Sequence, residues 1–183
     1  MRDKGKLLML FFIGSEAFFF IALIIAYVYY RAINDNVDLV SANLDAKRTG
    51  LFTVLLVSSS FSLLWSKYAL RKNHWKTYKI LLVVTILLGV VFMYGQIKEY
   101  VGLYHKQLTM SASIFGSSFF TLTGFHGLHV IIGLITLSIL LMLSFGKTKI
   151  LCRSAIGGID VYWHFVDVVW LFVFFFVYIK PLL

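Results

Sequence analysis

Residues 114–145 read IFGSSFFTLTGFHGLHVIIGLITLSILLMLSF, a run without a single Asp, Glu, Lys or Arg. As an α-helix it is about 48 Å long against a bilayer core of roughly 30 Å, so it tilts strongly or begins in the interface. At its centre stands Phe125-His126-Gly127-Leu128-His129-Val130-Ile131-Ile132-Gly133. Imidazole is costly in hydrocarbon, so His126 and His129 need a partner or a cavity, and intramembrane ionisable groups are functional-site candidates. The two are i and i+3 and share a helix face. Thr123, Gly133 and Thr136 fall on or near that face. Small and polar residues on an otherwise aliphatic helix mark a side that packs against protein.

The reading extends outward from that run. Four more apolar runs, at 7–30, 51–70, 80–97 and 160–179, approach or exceed the roughly 20 residues needed to cross a bilayer. The chain has 183 residues, is 60% hydrophobic and contains one proline; its mean hydropathy is +0.88. These values predict an all-α membrane protein, with five transmembrane helices bundled as one domain over 1–183. Little length is left for a soluble domain. The first run follows a short basic start, as a signal peptide would. It is about twice the usual apolar length and has no A-x-A site, so it reads as a retained span.

A formal charge of +9 raises the question of nucleic acid. The basic residues sit in short segments between spans, which reads as membrane topology and excludes nucleic-acid binding. The N-terminal tail and the loops after spans two and four hold eleven of the 17 Lys and Arg; the other side holds six. The first side is therefore expected to be cytoplasmic, with the N-terminus inside and the C-terminus outside. Cys152 is the lone cysteine, so it has no internal disulfide partner and belongs to no Cys pair of a metal site. His74 and His105 lie in polar loops and read as solvated. Lys147 to Ile159 reads as a basic loop with a turn at Gly157-Gly158.

Ionisable residues occur in other spans too. Glu16 sits beside Gly14 and Ser15, about 14 Å into span one. Span five carries Tyr162-Trp163-His164-Phe165-Val166-Asp167-Val168-Val169-Trp170, with His164 and Asp167 i and i+3 on one face. At about 1.5 Å per residue, Glu16, His126, His129, His164 and Asp167 fall in one inner-to-middle layer. Ser59, Ser62 and Ser66 repeat at helical spacing in span two, with Ser58 and Ser60 beside them, and read as a close-packing stripe. For the ionisable layer three readings compete. One is a hydrogen-bonded network that fixes packing and holds or relays protons. Another is a metal or haem site, although i, i+3 histidines on one helix cannot ligate opposite faces of one haem. The last is a transport path, which the lack of an inverted repeat disfavours.

Both histidine motifs, at 125–133 and 162–170, resemble signature segments of subunit III of the haem–copper respiratory oxidases. Gly14-Ser15-Glu16-Ala17-Phe18-Phe19-Phe20 is similar to that family's helix with an intramembrane glutamate. The end of span three, Gln96 to Tyr100, resembles the end of a family helix. The resemblance covers roughly Leu7 to Ile179. It implies a non-catalytic subunit with no haem or metal of its own. Haem and copper then belong to the partner, subunit I, which reduces oxygen to water and pumps protons. It implies support of that partner's stability and proton uptake, contact with other respiratory subunits, and phospholipid held in a cleft. The first two helices of the family's seven-helix form have no match here. The five-helix bacterial type fits better, and with it a multi-pass location in the bacterial plasma membrane. One wall of the lipid cleft is then missing or supplied by another chain. The resemblance assigns no catalytic residue; Glu16, His126, His129, His164 and Asp167 are the buried polar or proton-handling candidates. The alternatives are an accessory subunit of a nitric oxide reductase and a haem-bearing membrane anchor.

Overall fold

The computed structural model describes residues 2–33, 44–106, 114–146 and 149–180, with the side chains of 2–6, 115 and 149–154 excepted. Five helices follow one another: α1 Arg2–Ala32, α2 Ala46–Arg71, α3 Trp75–His105, α4 Ile114–Phe145 and α5 Lys149–Phe174. The last continues as a π-helical turn, Phe175–Ile179. All five are long and apolar enough to cross a membrane. In hydrocarbon each backbone N–H and C=O must find its partner within the segment, and an apolar run then has the helix as its only open-chain solution.

The helices run past the apolar stretches that announce them. Asp45 caps α2, its carboxylate accepting from Arg48 N at 3.0 Å. A three-residue turn with Asn73 at φ 63° joins α2 to α3. The loop expected over Lys147 to Ile159 is corrected: α5 begins at Lys149 and passes through Gly157 and Gly158 without a turn. Two glycines cost a helix about 1 kcal/mol each. Next to a membrane, leaving their peptide groups unsatisfied costs more. Helix α1 passes at ordinary van der Waals distance, with Met9 Cε 3.5 Å from where a Cβ on Gly158 would stand.

The most extensive pairing is α2 with α3, then α4 with α5. Helix α5 also touches α1 and α2, and α1 rests on α4 and α5. Only 6% of the α1 span is buried within the bundle against 50% for α5, so α1 is peripheral and α5 central. Lipid tails are as apolar as leucine, so helix association depends on close approach and interhelical hydrogen bonds. Trp163 supplies both. It is fully buried, and a Cβ on Gly133 would lie 2.7 Å from its ring, one on Gly89 3.0 Å. Its indole Nε1 donates to Ser59 Oγ at 3.0 Å, and Trp170 Nε1 donates to Thr53 Oγ1 at 2.9 Å. Ser62 and Ser66 turn to α3 instead, donating to Leu81 O and Tyr78 O. The serine stripe of α2 is thus a packing seam. Gly14 of α1, by contrast, has no neighbour within 4 Å of its Cβ position.

Candidate functional site

The five ionisable candidates do not meet in one cluster; they occupy three places around α4 and α5. The first is the α1–α4 contact. Glu16 Oε2 lies 3.0 Å from His129 Nε2, and His129 Nδ1 lies 2.7 Å from Phe125 O. A carbonyl only accepts, so Nδ1 carries its hydrogen there. Nε2 and the carboxylate therefore share one further proton, which either group can own. Tyr162 OH donates to His129 O at 3.1 Å and ties α5 to the same point. The Glu16 side chain keeps 23% of its surface exposed, the His129 side chain 9%. Above them lies a groove of about 640 Å³, with Phe12, Phe19, Phe125, Leu128 and Ile132 among its walls. All five of these residues are more than a third exposed, so the groove opens on the flank of the bundle.

The second place is His126, expected from its depth and from the family resemblance to join His129 as a partner of Glu16. That expectation is corrected. Three residues turn a helix by about 300°, so the two side chains diverge by about 60°. His126 points to the interior, fully buried, stacked on Trp170 at 4.8 Å with Phe92 6.2 Å away. Neither ring nitrogen has a hydrogen-bond partner among the described residues. It lies in an aromatic box and makes no polar link to Glu16.

The third place is the α2–α5 contact. Ser60 Oγ donates to Asp167 Oδ2 and lies 2.8 Å from His164 Nδ1. One turn along α5, His164 Nε2 is 3.3 Å from Asp160 Oδ1, and Asp160 Oδ2 pairs with Lys67 Nζ. Asp160 is 3% and Asp167 5% exposed; the His164 side chain keeps 29% and that of Lys67 23%.

Three members of this cluster escape the sequence reading. Ser60 looks like a flank of the packing stripe, Lys67 like a topology charge, and Asp160 like the start of a span. A signal was available: Asp160, His164 and Asp167 stand at i, i+4 and i+7, one helical stripe. Their partners, 93 to 107 residues away on α2, leave no local trace. A further polar knot went unread at the opposite end. Glu99 accepts from Thr49 Oγ1 at 3.2 Å and from Tyr178 OH at 2.7 Å, joining α2, α3 and the π-helical turn. Arg31 Nη1 donates to Phe176 O at 3.3 Å, so α1 is held there too.

Among the described residues no three His, Cys, Asp or Glu side chains converge so as to hold a metal ion. The chemistry on offer is proton holding and helix pinning.

Comparison with known proteins adds a family. The family model for cytochrome c oxidase subunit III matches residues 2–181. Cytochrome c oxidase subunit 3 of Rhipicephalus sanguineus is 36% identical, over 94% of this chain and 69% of its own length. Its counterpart in Synechocystis is 32% identical, over 92% of this chain and 72% of its own length. A probable cytochrome c oxidase subunit 3 of Nocardia farcinica is 37% identical, over 88% and 81% respectively.

Proposed function

Because the chain belongs to the cytochrome c oxidase subunit III family, we propose that it is the non-catalytic subunit of a bacterial respiratory oxidase, seated against subunit I and supporting its stability and proton uptake. It is a multi-pass membrane protein and an accessory subunit of a respiratory oxidase. In this reading haem and copper reside in the partner subunits, and this chain carries neither. The cell's plasma membrane is its location, with the N-terminus on the cytoplasmic side.

The observation that carries the proposal is the Glu16–His129 hydrogen bond at the foot of an apolar groove. A carboxylate on the most peripheral helix is useful where it holds that helix to the bundle. The groove beside it suits an acyl chain of a phospholipid, whose tail asks only for apolar walls. Glu16 thus acts as a pin for α1, and through α1 for the face offered to the complex. Glu16→Ala leaves His129 Nε2 without its partner, at about 1–3 kcal/mol. The expected result is loss of this subunit from the oxidase on purification in mild detergent, with turnover decaying as it leaves. Full retention with altered oxygen consumption would reject the structural role in favour of proton delivery. No change in either would reject a major role for Glu16.

Topology is testable separately. Cys152, whose side chain lies outside the described residues, is on the cytoplasmic side in this reading. A membrane-impermeant thiol reagent is expected to spare it in intact cells and label it in inverted vesicles; the opposite pattern would invert the orientation.

A further inference from the structure

Helix α5 separates two polar sites. Tyr162, which binds the α4 backbone behind Glu16 and His129, is about 200° around the helix from His164. Trp163 and Trp170 fill the seam between them. The Ser60–His164–Asp167 group is therefore a site in its own right, and its hydrogen bonds can be counted.

Ser60 has one hydrogen and can accept, Asp160 pairs with Lys67, and His164 Nδ1 faces Ser60 Oγ, while His164 Nε2 lies 3.3 Å from Asp160 Oδ1 without forming a hydrogen bond. Two arrangements satisfy the Ser60–His164–Asp167 chain with the same total of protons. In one, imidazolium His164 donates Nδ1–H to Ser60 Oγ, with Nε2–H near Asp160, while Ser60 donates to an Asp167 carboxylate. In the other, a neutral Asp167 carboxyl donates to Ser60, Ser60 donates to Nδ1, and a neutral His164 keeps Nε2–H near Asp160. Passage between them breaks two bonds and forms two. The Nδ1–H proton moves to Ser60 Oγ as the serine's own proton moves to Asp167 Oδ2. No other atom changes and net charge is conserved.

We propose that Ser60, His164 and Asp167 form an intramembrane proton-shuttling site, in which the serine hydroxyl passes one exchangeable proton between imidazole and carboxyl. Three observations support it. Ser60 bridges two titratable groups that do not bond each other. Asp167 Oδ1 is buried and has no hydrogen-bond partner among the described residues, which a neutral carboxyl tolerates far better than a carboxylate. His164 Nε2 is buried and, like Asp167 Oδ1, makes no hydrogen bond among the described residues, so Ser60 Oγ is the hydrogen-bond partner of both groups. The titratable groups facing the site are Asp160 on α5 and Lys67 on α2. Glu16 on α1 and His126 and His129 on α4 lie beyond the tryptophan seam. The shuttle deepens the reading of this chain as a support of proton uptake. It rests on that reading only for its use, because the transfer is local to the subunit.

The test uses the full chain with whatever subunits accompany it in detergent. Infrared spectra follow the protonated-carboxyl stretch that Asp167→Asn removes. ¹⁵N-histidine NMR follows the imidazolium signal that His164→Gln removes. A shared proton makes the two signals disappear with one common midpoint as pH rises, because the titration belongs to the pair. Ser60→Ala removes the hydroxyl that satisfies both arrangements and is expected to part the midpoints by about one pH unit or more. Ser60→Thr is expected to keep them together. If Ser60→Ala does not assemble, Ser60→Cys, a weak donor of similar shape, carries the same comparison. Separate midpoints in the wild-type protein, or a common midpoint that survives loss of the hydroxyl, would overturn the shuttle. Neither result bears on whether the subunit accompanies an oxidase, which co-purification decides.

Discussion

The α1–α4 contact and the α2–α5 contact use the same two groups, a carboxylate and an imidazole, in opposite settings. Glu16 meets His129 directly, on a helix with few buried residues, beside a groove open to the membrane. Asp167 reaches His164 through Ser60, between the two tryptophan–hydroxyl bonds and the Lys67–Asp160 pair, on the most buried helix. The difference teaches that depth in the membrane does not fix what an acid–imidazole pair is for; the setting of the carboxylate does, 23% exposed at Glu16 and 5% at Asp167. An open carboxylate can hold a peripheral helix beside the groove. An enclosed and bridged carboxyl can keep a proton.

If enclosure sets the energetics, damage should be greatest at the α5 seam. Trp163→Ala empties a site lined by Gly89 and Gly133 and leaves Ser59 without its donor. A loss of roughly 3–5 kcal/mol is expected, read as thermal unfolding of the complex in detergent. A loss under about 1 kcal/mol would mean that the seam is loosely packed and the contrast unfounded. Next comes Lys67→Met, which strips a buried Asp160 of its cation. Breaking a buried pair costs about 3–5 kcal/mol, and the partial exposure of Lys67 lowers the expectation to about 2. Adding Asp160→Asn should recover part of the loss, since no unpaired carboxylate then remains; no recovery would assign the effect to packing of the lysine stem. The smallest effect is expected at the open pair. Glu16→Gln keeps a hydrogen-bonding group opposite His129 Nε2 and should cost under about 1 kcal/mol. A cost equal to that of Lys67→Met would erase the distinction between the two sites.

Much of the fold was legible because membrane helices announce themselves locally. Leu7, Leu51, Ile80 and Ile114 each open or lie near the start of a run whose composition leaves the backbone no other structure. The exception is instructive: Gly157 and Gly158 look like a turn in water, yet they lie inside α5. Turn propensity is a solvent-exposed preference, and the helix beside α1 is not in that solvent. The candidate site was legible residue by residue, since Glu16, His126, His129, His164 and Asp167 are conspicuous in apolar runs. Their company was not.

What the sequence by itself determined is the number of helices and their bounds to within a few turns. Each of these follows from composition and from a fixed rise per residue, within one segment and without reference to another. Only the tertiary structure decided the pairing, because pairing depends on how each helix is rotated about its own axis. That rotation is set by contacts such as Trp163 between Gly89 and Gly133. A turn of about 60° separates a histidine facing Glu16 from one stacked on Trp170, and Ser60 finds Asp167 across 107 residues because α2 and α5 pack with those faces inward.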